Sequence, residues 1–395
     1  MGQIKGIKYG YNDINIVPEK ITDLKSRSEV NLYDGNGMLP IFAAPMDTVV
    51  DDSTFYEFRD NNIYSVIPRT CKLSRRCELM QLYAYDHEVF VSVSLREAKF
   101  IFLENPINNN LTSDELFYSN QVRGFLSIDG ENASLKICID LANGHMSDLL
   151  NTIKLIKDKY KSKVTIMSGN IANPQTYIEY DKVGCDYVRV SIGSGEGCST
   201  STNTGVHYPI FSLLEETYKI KQDIEGKCKI IADGGIKGFG DIQKALIYSD
   251  YVMIGGVFSR LVESAGDKYY GKSYWNIRGR RIFRPLKTLF TYGRKANTIN
   301  VKKLKNGTQE YYKIFKGMST PEAQMAIRKA ENNETNLPLK PTEGFVKKMK
   351  VDLVLDEWVR SEKAYLASMM SYINAKSLKG CKDALWIVKQ SKNHN

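Results

Sequence analysis

Apolar residues along this chain gather in short, nearly unbroken runs, separated by longer stretches with helical spacing. Eight runs predict strands: 39–46 (LPIFAAPM), 63–68 (IYSVIP), 88–94 (EVFVSVS), 136–141 (KICIDL), 163–168 (KVTIMS), 186–192 (DYVRVSI), 228–233 (CKIIAD) and 250–255 (DYVMIG). Runs that are apolar at consecutive positions, not at every second one, suit strands covered on both faces, as in a parallel sheet. Between them, 147–161 and 241–248 carry helical apolar spacing. This rhythm predicts an α/β fold, a (β/α)8 TIM barrel spanning 1–395 as a single domain, with an open doubly wound sheet as the alternative. Two stretches break it. Residues 104–134, rich in Asn, Ser and Asp, read as a long loop, and 266–310 as an elaboration after the eighth strand. Both look too short and too polar to own a core.

Composition narrows the setting. No apolar run reaches the ~18 residues of a membrane span. The N-terminal MGQIKGIKYGYNDINIVP has neither a secretory apolar stretch nor a Ser or Thr where myristoylation needs one, so a cytoplasmic location is expected. The seven cysteines are an odd set without a CxxC pair, which argues for reduced thiols and against zinc. The net charge of +10 is concentrated. From Lys272 to Lys316 there are thirteen Lys and Arg against one acidic residue, Glu310, so the rest of the chain is slightly acidic. Such a block can be a solvated surface or can bind a cofactor phosphate. Nucleic acid is disfavoured because few aromatics beyond Tyr274, Trp275 and Phe283 interleave with the charges.

In a barrel the chemistry sits at the C-terminal ends of the strands. There the sequence places Gly193-Ser194-Gly195-Glu196-Gly197-Cys198-Ser199-Thr200 after the sixth run, Asp233-Gly234-Gly235 after the seventh and Gly255-Gly256 after the eighth. Glycines let backbone amides approach an anion, and the loops after strands seven and eight are the usual phosphate site. Cys198 stands on a glycine-rich loop, where amides can lower a thiol pKa and make a nucleophile. Cys138 and Cys185 lie in or beside apolar runs and read as core filler.

The stretch from VTIMSGNIANP through SIGSGEGCSTSTNTGVHYP, with YNDINIVP, PIFAAPMDTVV, ADGGIKGFGD, YVMIGG, FKGMSTPEAQM and TEGFV, resembles the IMP dehydrogenase/GMP reductase family. LKSRSEVNL, ICIDLANGH and KGMST resemble the GMP reductase branch, and no Arg-Tyr pair of the dehydrogenase type occurs between Met325 and Glu343. The resemblance implies reductive deamination of GMP to IMP and ammonia with NADPH. The Cys198 thiolate would attack purine C2, and Thr200 and Glu343 would manage the proton. It also implies substrate contacts at Met46, Gly195, Gly197, Asp233, Gly234, Gly235, Gly255, Gly256, Gly317, Met318 and Ser319. Cofactor contacts would fall at Asp140, Asn143 and Gly144. It leaves room for a monovalent cation such as K+ at Gly193, Gly195 and Cys198, and it implies a homotetramer. Two rivals stay open: oxidation of IMP with NAD, and a catalytically silent nucleotide-binding relative.

Two positions depart from the family pattern. Glu196 replaces a phosphate-binding Ser; pairing with Lys316 or pointing away would relieve its repulsion of a phosphate, and the third reading is a substrate other than an ordinary nucleoside monophosphate. Ala367 stands before Ser368 where the family has Arg, which the basic block could offset toward NADPH.

Overall fold

The computed structural model describes residues 6–103, 111–128, 133–195, 200–277, 280–284, 295–296, 298–331, 344 and 346–389. All eight expected runs form strands: Ile41–Ala43, Tyr64–Ile67, Val89–Val93, Leu135–Asp140, Val164–Ile171, Tyr187–Val190, Lys229–Asp233 and Tyr251–Ile254. Each pairs in parallel with the next, and the first pairs with the last to close a barrel. The open-sheet alternative is thereby excluded.

The strands are apolar throughout because they serve two separate cores. Phe42, Tyr64, Val66, Phe90, Cys138, Met167, Ile231 and Met253 pack together as one cluster, filling the barrel. Their strand neighbours Ile41, Ala43, Ile67, Val89, Ile137 and Ile230 belong to another, shared with the surrounding helices. Helix Ser147–Tyr160 buries Leu149, Thr152, Ile153 and Ile156, three to four residues apart as one helical face requires. Helix Phe239–Leu246 likewise buries Ile242, Ala245 and Leu246.

The stretch expected as a long loop contains a helix. Ser113–Ile128 forms a helix whose Val122 and Leu126 are buried, with Thr112 and Glu115 bonding each other's backbone at its start. The polar composition hid the i, i+4 pair that docks it. The elaboration after the eighth strand is a four-stranded antiparallel sheet in the order Arg280–Arg284, Lys268–Ile277, Gln309–Lys316, Val346–Val351. It reaches past residue 310 because the strand Gln309–Lys316 crosses that bound and Val346–Val351 lies beyond it. A small apolar cluster of Ala296, Tyr311 and Val351 packs there.

One lysine of the basic block ties that sheet to the barrel. Lys313 is buried, and its Nζ donates to Thr48 O (2.9 Å), Ser264 Oγ (2.6 Å) and Ala265 O (2.6 Å). Burial drives its pKa well below that of a free lysine. The strand that carries it therefore runs beside the loop following the first barrel strand.

Candidate active site

A cavity of about 660 Å³ opens at the C-terminal ends of the strands. It is lined by the loop after strand one (Met46), the ends of strands four and seven (Asp140, Asp233) and the glycine pairs Gly234–Gly235 and Gly255–Gly256. The elaboration closes another side through Phe315, Gly317, Met318 and Ser319, with Gln324 and Ile327 from helix Pro321–Ala330. That volume suits a small organic ligand.

Two glycines here have a steric reason. Gly234 has φ +110°, and a Cβ on it would lie 3.2 Å from the Gly195 amide nitrogen, so the loops after strands six and seven touch through bare backbone. A Cβ on Gly255 would lie 2.8 Å from Met46 Sδ. Side chains at these positions would fill the space and distort the backbone that an anion needs to approach.

The electrostatic centre is Arg189, on the sixth strand. Its guanidinium meets Asp140 Oδ1 at 2.5 Å and Asp233 Oδ2 at 2.8 Å, and Asn170 Nδ2 donates to the same Asp233 oxygen at 2.7 Å. Burial opposes the charge on Arg189, but Asp233 and Asp140 outweigh it and raise the pKa well above the usual arginine value. The group is a fixed, hydrogen-bonded ion triad at the bottom of the cavity. Arg69, also lining the cavity, is held by Glu331 at 2.7 Å.

Of the residues expected from sequence, Met46, Asp140, Gly193, Gly195, Thr200, Asp233, Gly234, Gly235, Gly255, Gly256, Gly317, Met318 and Ser319 all line this cavity. Asn143 and Gly144 are not among its lining. Asn143 Oδ1 accepts from the His145 amide, and Gly144 is pressed against Tyr180 and Asn170. Gly197, Cys198 and Glu343 lie outside the described residues, as do Glu196 and Ser199. The loop can still be followed to its edges: Ser194 and Gly195 on one side and Thr200 on the other border the cavity. Lys316, offered above as a partner for Glu196, instead pairs with Asp47 at 2.8 Å. Asp47 immediately follows Met46 and is the nearer use for that cation.

Sequence reasoning missed Arg189, Asn170, Arg69 and Gln324. The first had a signal. An arginine inside an apolar strand run cannot stay buried without acidic partners, and Asp140 and Asp233 end two other runs. Asn170 and Gln324 carry no comparable mark.

Cys138 and Cys185 are buried as expected. Burial pushes the thiols of Cys71 and Cys381 up to about 11, those of Cys77 and Cys138 up to about 12, and that of Cys228 well above the normal range. None of these is a poised nucleophile.

Residues 131–310 match the family model described as the IMP dehydrogenase / GMP reductase domain. A protein named GMP reductase from Buchnera aphidicola subsp. Schizaphis graminum is 33% identical over 279 residues, 68% of this chain and 73% of that protein. One of the same name from Ligilactobacillus salivarius is 27% identical over 314 residues, covering 74% and 87%. Another, from Streptococcus gordonii, is 27% identical over 301 residues, covering 71% and 84%. With a closed parallel barrel, a cavity at its strand ends and relatives of this coverage, the chain belongs to the IMP dehydrogenase / GMP reductase family.

Proposed function

We propose that this purine-nucleotide oxidoreductase converts GMP to IMP and ammonia, using NADPH and a covalent adduct between Cys198 Sγ and purine C2. The observation that carries the reading is the convergence of three glycine loops on one cavity, with both flanks of the Cys198 segment on its wall. Burial raises the thiol pKa of Cys71, Cys77, Cys138, Cys228 and Cys381, which favours the loop cysteine over these five as the thiolate.

Each part of the substrate has chemistry to meet. Backbone amides of Gly234, Gly235, Gly255 and Gly256 suit the phosphate dianion. The hydroxyl lost where Glu196 replaces Ser has a neighbour in Ser194, whose Oγ is buried at the cavity with no partner among the described residues. Asp233 accepts from Arg189 and Asn170 on Oδ2, which leaves Oδ1 as an acceptor for ribose hydroxyls. Met318 and Ser319 would face the purine.

Thiolate attack at C2 makes a tetrahedral adduct, and the exocyclic amine leaves only once protonated. Thr200 and Glu343 would supply that proton. Gly344, next to Glu343, packs so closely on Thr320 that a Cβ there would lie 2.6 Å from the Thr320 amide nitrogen, which brings this part of the chain beside Ser319. Asp140, which lines the cavity beside Arg189, would hold the nicotinamide ribose. When bound, the reduced nicotinamide supplies the two electrons that replace the amine at C2 by hydrogen. The balance is GMP + NADPH + 2H⁺ → IMP + NADP⁺ + NH₄⁺.

The test is anaerobic mixing of GMP and NADPH, followed at the reduced-nicotinamide absorbance with IMP and ammonia assayed. One IMP should appear per NADPH consumed, and Cys198→Ala, folded by circular dichroism, should show none. Reduction of NAD by IMP without turnover of GMP would overturn the assignment and favour the dehydrogenase direction. Turnover retained in Cys198→Ala would remove the covalent step.

A further inference from the structure

Two buried lysines each donate to three oxygens, one at each end of the barrel. Lys136, at the start of strand Leu135–Asp140, donates to Tyr83 O, Ala84 O and Ser134 O at 3.4, 3.0 and 2.7 Å. Lys313 donates to Thr48 O, Ser264 Oγ and Ala265 O. In the second case every partner is fixed as an acceptor. Two are carbonyls, and the Ser264 hydroxyl gives its own hydrogen to Leu261 O at 2.7 Å. Three acceptors need three N–H groups, so Lys313 holds its place as an ammonium. A methionine there would fill the volume and leave all three oxygens without this donor.

These bonds join parts of the molecule that meet at the cavity. Thr48 lies two residues after Met46, and Ser264 and Ala265 lie in the segment after the eighth barrel strand. The two segments are already laced: Ala265 N donates to Val49 O at 2.9 Å, and a Cβ on Gly266 would lie 3.3 Å from Asp47 O. Lys313 fastens the strand Gln309–Lys316 to both. Phe315, two residues on and therefore on the same face of that strand, lines the cavity. Lys316 then pairs with Asp47 at 2.8 Å, and Gly317, Met318 and Ser319 follow at once on the cavity wall. Their far side is held as well. Thr320 N donates to Gly317 O at 3.0 Å, and Gln324 Nε2 to Met318 O at 2.7 Å.

We propose that Lys313, with Lys316, is a positioning residue: the pair clasps the Gly317–Ser319 segment against the Met46 loop and so sets the angle at which the purine meets the reacting groups. The inference rests on the placement of the purine against Met318 and Ser319 given under the proposed function. Neither lysine lines the cavity. The phosphate and ribose contacts belong to the barrel loops, which the clasp leaves in place. Loosening the purine seat therefore lowers kcat more than it raises KM.

Steady-state kinetics of the full chain with GMP and NADPH test this, beside urea unfolding and hydrogen exchange of the peptide spanning 315–320. Lys313→Met should lower kcat about tenfold or more, keep KM for GMP within about threefold of wild type, and speed exchange across 315–320. Lys316→Gln leaves the buried ammonium in place and should move the same readouts in the same direction by less, about threefold in kcat. Lys136→Met is the matched control. It should lower the urea midpoint as Lys313→Met does, while kcat, KM and exchange at 315–320 keep their wild-type values. An equal fall of kcat in Lys136→Met, or wild-type kcat in Lys313→Met, would overturn the clasp and make Lys313 a stabilising group only. Should Lys313→Met fail to fold, wild-type kcat in Lys316→Gln overturns it equally. If wild type does not turn over GMP, but exchange at 315–320 still rises in Lys316→Gln and not in Lys136→Met, the reaction assigned above falls and the clasp stands.

Discussion

At the N-terminal end of the barrel, Tyr64 and Tyr251 both donate to Asp34 Oδ2, at 2.5 and 2.8 Å, beneath a packed group of Phe42, Phe90 and Tyr187. At the C-terminal end, Arg189 is clamped between Asp140 and Asp233 while Ser194 Oγ, Asp47 Oδ1 and Thr48 Oγ1 are buried without a partner among the described residues. Both ends are built from the same eight strands. The first satisfies its polar groups with aromatic phenols and fills its space with rings, stacked at 4.6 Å in the case of Phe42 and Tyr64. The second keeps about 660 Å³ open and leaves hydrogen-bonding capacity unspent. Buried polar atoms without partners are costly, and Ser194 Oγ is one that lines the cavity, where a ligand can complete it.

The largest effect that would sharpen this contrast comes from Arg189. Arg189→Ala leaves two carboxylates buried at the cavity floor without the charge between them. The expected loss of stability is about 3–5 kcal/mol, read by urea unfolding, together with a raised KM for the nucleotide because Asp233 is no longer fixed. A triple variant, Arg189→Met with Asp140→Asn and Asp233→Asn, removes the charges together. It should recover much of the stability and none of the nucleotide binding. Recovery of both would mean that the ion triad is structural only, and the two ends would then differ less than proposed.

The architecture was legible because a strand covered on both faces writes itself as consecutive apolar residues. All eight runs, from IFA at 41–43 to YVMI at 251–254, show this. The loops of the site were legible for a different reason: glycines accumulate where backbone must approach backbone, as at Gly234 against Gly195. Helix Ser113–Ile128 was not, because it docks through a few apolar positions such as Val122 and Leu126 amid Asn and Ser. Partner choice among surface charges was equally hidden. The sequence reading offers Lys316 as a partner for Glu196, and only the path of the strand Gln309–Lys316 past the first barrel loop selects Asp47.

A buried carboxyl belonging to neither end gives an intermediate effect. Glu362, on helix Leu355–Tyr372, is wholly buried, receives a hydrogen bond from Gln243 Nε2 at 3.1 Å, and has its pKa pushed up to about 8 by burial. In the unfolded chain a glutamate titrates near ~4.3. Between these values the folded state holds the extra proton, so stability falls as pH rises from about 4.3 to about 8 and is fullest below that window. Glu362→Gln removes this dependence. Its unfolding free energy should match wild type near pH 4 and exceed it increasingly up to pH 8, by an amount on the order of a few kcal/mol. A constant difference across the range would show that Glu362 is not protonated in the fold.

The smallest expected effect is the one most able to break the comparison. Tyr64→Phe deletes one phenol at the closed end, while Tyr251 still donates to Asp34 and the ring packing against Phe42 is kept. The net worth of one such hydrogen bond is about 1 kcal/mol. Between that phenol and the cavity lies the interior layer that includes Val66, Cys138, Met167, Ile231 and Met253. Close-packed apolar layers transmit changes of volume, but this substitution changes none. The phenol also accepts from Asn36 Nδ2 at 2.9 Å, so unfolding should shift by about 1–2 kcal/mol with kcat and KM for the nucleotide unaltered. If KM moved along with stability, the ion triad of Arg189 would depend on the hydrogen bonds beneath it, and the barrel would have to be treated as one coupled polar network in place of two independent ends.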